Sequence, residues 1–174
     1  MTRAHIISLT IVMAFSSYCV NAQNVRMLSE VSSTIGVGGN PGGLGGPILA
    51  ANYTGGVSVG EYFSAGVSAG YMSLLFSNGI TTELIARGSV PFGHKARVGA
   101  WLGANGGYDF VIGNSRVTPI PLLSGSGGLY FRFKNGHRLY VGPSYLRAYQ
   151  RADSADPNEK GWGEYLALKT SYSF

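Results

Sequence analysis

The feature that most constrains this chain is the alternation in residues 96–112, ARVGAWLGANGGYDFVI. Val98, Ala100, Leu102, Ala104, Tyr108 and Phe110 fall on one parity; Arg97, Gly99, Trp101, Gly103, Asn105, Gly107 and Asp109 fall on the other. Period two is the signature of a strand with two different faces. The unusual part is which face is which. One parity is continuously apolar, while the other is mostly glycine, with few polar groups large enough to cover a water-facing exterior. A narrow barrel with small residues inside and apolar residues outside fits that pattern.

The same pattern recurs along the chain. Phe63, Ala65, Val67, Ala69 and Tyr71 oppose Ser64, Gly66, Ser68 and Gly70, and Leu123, Leu129, Phe131 and Phe133 oppose Ser124, Ser126, Tyr130 and Arg132. Turn signals divide the sequence into segments at about 27–38, 48–59, 62–75, 80–90, 96–112, 120–133, 138–150 and 162–174. Asn135-Gly136 is a strong two-residue hairpin signal. An even number of strands puts both ends of the chain on one side, and eight is the smallest number usual for barrels that cross an outer membrane. The segment at 138–150 fits least well, because Arg147 shares parity with Val141 and Tyr145; it is expected near the outer rim with its charged end snorkelling to water.

Composition agrees. Charged residues are 12% of the chain, against about 25% in an ordinary soluble domain. Glycine contributes 27 residues, tyrosine 11 and phenylalanine 8, and no sustained helical spacing with caps is present. The expected fold is all-β, an eight-stranded antiparallel up-and-down transmembrane β-barrel, forming one domain over residues 23–174. In lipid such a sheet must close, because an open edge leaves backbone groups unpaired. The formal charge of +5 is small and does not suggest a nucleic-acid partner.

Residues 1–22 read as a secretory signal peptide. Arg3 and His5 precede the apolar run 6–15, and Val20 and Ala22 occupy the small-residue cleavage positions, which places cleavage between Ala22 and Gln23. The run is too short to span a bilayer as a helix, which takes about 20 residues. Cys19 is the only cysteine, and Tyr18 before it is too bulky for a lipoprotein site. The mature chain therefore has no disulfide, thiol nucleophile or cysteine metal site. Export by the general secretory pathway to a Gram-negative outer membrane follows as the expected localisation.

The last residues, GWGEYLALKTSYSF, continue the alternation to the end: Leu166, Leu168, Thr170, Tyr172 and Phe174 oppose Tyr165, Ala167, Lys169, Ser171 and Ser173. With this pattern over nearly the whole mature chain, the sequence resembles the small outer-membrane barrels of the OmpX and OmpA-transmembrane type. That resemblance implies that Tyr172 and Phe174 form a C-terminal signal read by the barrel-assembly machinery. It also implies outer-membrane lipid and lipopolysaccharide as surroundings. An edge strand of a secreted sandwich would alternate too, but would not need the aromatic terminus.

The inward parity collects Glu30, Glu83, Arg87, Arg97, Asp109, Arg132 and Lys169. Charges at low dielectric must be paired, so the expectation is an ion-pair network that fills the lumen; a gated or narrow pore is the alternative. Some barrels of this size are lipid-modifying enzymes with a histidine near the outer leaflet. Here the mature histidines, His94 and His137, lie in turns on the side of the termini, and no histidine–carboxylate cluster suggests a metal. No catalytic residue, cofactor or metal is expected. The glycine-rich stretch 35–46 lacks the Lys-Ser/Thr of a phosphate loop, and its loop glycines with Pro41 and Pro47 read as turns. The polar loop 151–161 is a solvated surface loop and the candidate contact for a surface partner. The expected function is that of a non-enzymatic structural or surface-interaction protein with a plugged lumen. A small porin-like channel is the second reading and a lipid-modifying enzyme the third.

Overall fold

The computed structural model describes residues 25–39, 45–74, 77–93, 97–112, 117–150 and 161–174. The expected leader with its expected cleavage between Ala22 and Gln23, His94, and most of the loop 151–161 lie outside the described residues. The described chain forms eight strands: β1 (Val25–Gly39), β2 (Gly45–Val59), β3 (Phe63–Leu74), β4 (Ser77–Pro91), β5 (Val98–Ile112), β6 (Val117–Arg132), β7 (Arg138–Gln150) and β8 (Gly161–Ser173). Each pairs antiparallel with its neighbours, and β8 pairs with β1 to close the barrel. Closure runs from Glu30 opposite Ser173 to Gly39 opposite Glu164, and the Phe174 amide donates to the Ser29 carbonyl at 3.0 Å.

The alternation sets which side chains point where. Outward, every strand exposes a large apolar or aromatic residue: Val31, Leu49, Val67, Leu84, Leu102, Leu123, Tyr145 and Leu166. Leu102 is 73% exposed and Leu84 68%. A soluble monomer rarely carries an apolar patch of more than a few hundred Å², whereas this one encircles the molecule. Inward, Ser32, Thr54, Ser68, Asn105, Ser126 and Ser171 are buried. Small inward residues let long ones cross the lumen: a side chain at Gly99 would collide with the Tyr130 ring.

One end carries the tight connections at residues 60–62, 92–97 and 133–137 and is called the turn end; the opposite end is the loop end. The Asn135-Gly136 hairpin differs from the expected two-residue turn. The Gly136 amide donates to the Phe133 carbonyl at 3.1 Å, Gly136 alone takes a positive φ of 89°, and Phe133 pairs with His137. This is a type I turn followed by a left-handed glycine, a three-residue connection. The Asn135 side chain accepts from the His137 amide at 3.2 Å, which holds the turn in that form.

Candidate functional site in the barrel lumen

The lumen is layered. Toward the turn end, Arg87 on β4 crosses to Glu30 on β1 in a bidentate pair, Nη1 to Oε2 at 2.5 Å and Nη2 to Oε1 at 2.7 Å. Two such parallel bonds are the strongest form of carboxylate–guanidinium contact. The Arg87 guanidinium also lies over the Tyr140 ring, 4.1 Å from its centroid, and near that of Trp101 at 5.2 Å. Trp101 and Tyr140 meet edge to face at 5.8 Å, Tyr130 stands against Tyr140, and all three are buried. The Trp101 indole N–H donates to the Leu129 carbonyl at 3.1 Å, so its orientation is fixed. A cation faced by two rings and a paired carboxylate has most of its lost hydration replaced.

Above this layer lies a polar belt. Asn105 Nδ2 donates to Glu83 Oε2 at 2.9 Å, and the Thr81 hydroxyl donates to Asn52 Oδ1 at 2.8 Å. Lys169 is buried, with the charges of Glu83, Arg87 and Glu30 acting on it. Asp109 is 1% exposed, and neither of its carboxylate oxygens has a hydrogen-bond partner among the described residues. Toward the loop end, Ile48, Ala50, Met72, Leu122, Leu146, Ala148 and Tyr165 make an apolar cluster across the barrel.

Of the seven charges expected in the lumen, Glu30, Glu83, Arg87, Asp109 and Lys169 are buried there. Arg87 takes Glu30 as its partner, across the barrel, and not Glu83 on its own strand. Arg97 and Arg132 correct the expectation. They have inward parity but stand at the turn-end mouth, where the barrel wall stops: Arg97 is exposed, and Arg132 is partly exposed and paired with Glu61 of the β2–β3 turn. Parity fixes the face of a strand but not the height, and that height decided the two cases. Arg147 is outward near the loop end, 3.5 Å from Glu164 and over the Trp162 ring. Tyr172 and Phe174 are exposed on the outer face at the turn end, where His137 Nδ1 lies 2.7 Å from the Tyr172 hydroxyl.

The apolar cluster at the loop end escaped the sequence reading because Ile48, Met72 and Leu122 are apolar residues on the parity expected to be polar. A signal was present: Ile48, Ala50, Asn52 and Thr54 share one parity, so a single strand face changes from apolar to polar along its length. Tyr140 and Glu61 were also missed: Tyr140 is the third residue of β7, the segment whose alternation is least clear, and Glu61 belongs to a turn.

No family model matches the sequence, and no curated protein matches it. Solved structures do. The chain is similar to the crystal structure of Neisserial surface protein A (NspA), with a TM-score of 0.60 and 11% identity over 87% of this chain and 98% of that one. It is also similar to the N-terminal β-barrel domain of Pseudomonas aeruginosa OprF, with a TM-score of 0.51 and 14% identity over 87% of this chain and 100% of that one. At identities this low the likeness shows the fold alone, a small closed eight-stranded β-barrel.

Proposed function

We propose that the protein is an integral outer-membrane β-barrel of non-enzymatic, structural or surface-interaction type, with a lumen that does not conduct. The apolar belt on all eight strands and the two similar solved barrels support the membrane assignment. In this reading a leader ending at Ala22 directs export, the turn end faces the periplasm, and the loop 151–161 faces outward as the contact for a surface partner. Lipid and lipopolysaccharide surround the belt, and the barrel-assembly machinery inserts it through Tyr172 and Phe174.

The single observation that carries the closed lumen is the stacking of two plugs. The Arg87–Glu30 pair with Trp101 and Tyr140 fills the section near the turn end, and the Ile48–Met72–Leu122–Leu146 cluster fills the section near the loop end. Ion passage would have to break a bidentate pair and wet an apolar layer. Purified barrel in planar bilayers is expected to give no stable single-channel steps. Large, reproducible steps would instead establish the small porin-like channel.

A further inference from the structure

The turn end concentrates positive charge in a way the closed lumen does not explain. Arg97 precedes β5, Arg132 ends β6 and Arg138 begins β7. The Arg132 amide donates to the Arg97 carbonyl at 2.6 Å, and Arg132 and Arg138 are directly opposite in the ladder. The three arginines therefore form a row on one face of three adjacent strands, spaced by the strand separation of about 4.8 Å. Like charges directly opposite one another across a ladder are unfavourable. Arg26 at the start of β1 and Lys134 in the β6–β7 turn add to the same end. Glu61 is the one side-chain carboxylate among the described residues of this rim. It pairs with Arg132, and its carbonyl accepts from Arg138 at 3.2 Å.

The row is also held in place. Arg138 lies over the Tyr130 ring at 5.6 Å, so Tyr130 and Glu61 together fix two of the three guanidiniums. The guanidinium of Arg97 is exposed and makes no ion pair or hydrogen bond among the described residues. All three have the parity of Trp101, Tyr130 and Tyr140 and so stand around the mouth, above a floor those rings close. The leaflet-facing positions at this height are Phe131, Phe133, Tyr172 and Phe174.

We propose that the turn-end mouth is a binding site for a phosphate group, with Arg97, Arg132 and Arg138 as its donors. A planar guanidinium presents paired donors matched to phosphate oxygens, and a tetrahedral dianion offers oxygens to several forks at once, where a carboxylate satisfies one. An anion between the three arginines removes the repulsion that the register creates. Because the row faces the mouth and the leaflet side is aromatic, the phosphate is carried by a water-borne ligand and not by a headgroup of the surrounding lipid. The proposal requires only the folded barrel, so it is separate from whether the lumen conducts.

The test is isothermal titration of inorganic phosphate and pyrophosphate into the mature barrel, folded in a neutral detergent, with chloride matching the ionic strength. Heat-modifiable mobility first shows that each variant is folded. Saturable binding is expected, weakened at least tenfold by Arg97→Gln or Arg138→Gln and unchanged by Arg147→Gln, which removes the same charge at the far end. Absence of saturable binding, or equal loss in Arg147→Gln, overturns the site. A second titration uses the barrel in phosphatidylcholine vesicles with and without phosphatidylglycerol. Equal affinity in both supports a water-borne ligand, and competition by phosphatidylglycerol overturns that assignment.

Discussion

At the scale of single residues, the lumen separates paired from unpaired charge. Removing one partner of a buried pair leaves the other uncompensated, at about 3–5 kcal/mol. Arg87→Met strands Glu30, which is 0% exposed, so a loss of that order is expected in denaturant unfolding of the folded barrel. Arg87→Met combined with Glu30→Gln is expected to recover much of it, because no charge is then left alone. A double variant as weak as the single one would mean that the rings around Arg87, and not the ion pair, hold the layer. Asp109 behaves in the opposite sense. Its buried carboxylate makes no hydrogen bond among the described residues, and the like charge of Glu83 acts on it. Asp109→Asn removes an unpaired charge, so an unchanged or raised unfolding midpoint is expected; a midpoint lowered as far as that of Arg87→Met would show that the carboxylate has a partner in solution. The sequence made Glu30, Arg87 and Asp109 legible as inward residues, because parity depends only on the backbone. It did not make their pairing legible. Glu30 and Arg87 are brought together by the curvature of a closed barrel, and no local spacing encodes that.

At the scale of strands, β8 shows how far alternation alone can go. Its faces follow from sequence, and its pairing with β1 follows from the need for closure in lipid. The turn chemistry was less legible: Asn135-Gly136 permits several hairpins, and the side-chain bond from Asn135 to the His137 amide selects among them. A comparison of two β8 variants tests what the outward residues are for. Phe174→Asp is expected to lower the yield of folded barrel far more than Lys169→Gln, read by heat-modifiable mobility of the membrane fraction. A charge on the lipid face costs up to about 2–4 kcal/mol at midplane and much less near the interface. Phe174 stands at the turn end, 53% exposed and stacked near Tyr172 at 6.3 Å, so energy alone predicts a mild effect. A severe loss points to failed recognition by the assembly machinery, and equal yields would remove Phe174 from any signal. Elsewhere the wall has a weaker seam. The β6–β7 ladder is interrupted between Ser126–Ser144 and Leu129–Val141, where Pro143 has no N–H to donate. Amide exchange at Gly127, Gly128 and Gly142 is accordingly expected to exceed that across β1–β2, and uniform protection would show that the ladder is continuous in the membrane.

At the scale of the whole molecule, the even strand count and the unequal connections fix a sidedness. The turn end has short connections at residues 60–62, 92–97 and 133–137, while the loop end includes the long segment between β7 and β8. Outer-membrane barrels keep short turns in the periplasm and longer loops outside, so on the proposed reading Lys134 is expected on the periplasmic side and the 151–161 loop outside. The charge distribution makes this assignment consequential: reversing it would put the arginine row of the turn end against the external medium and the Arg147–Glu164 pair in the periplasm. Cys19 is the one cysteine of the sequence, so if the expected leader is removed a single introduced thiol reports position without background. In intact cells a membrane-impermeant maleimide is expected to label Ser154→Cys and to leave Lys134→Cys unlabelled until the outer membrane is opened. Labelling of Lys134→Cys in intact cells, with Ser154→Cys protected, would reverse the barrel in the membrane, and the phosphate site at its turn end would then face the outside. Labelling of both before lysis would show that the reagent reaches the turn end through the barrel, and the two plugs in the lumen would not close it.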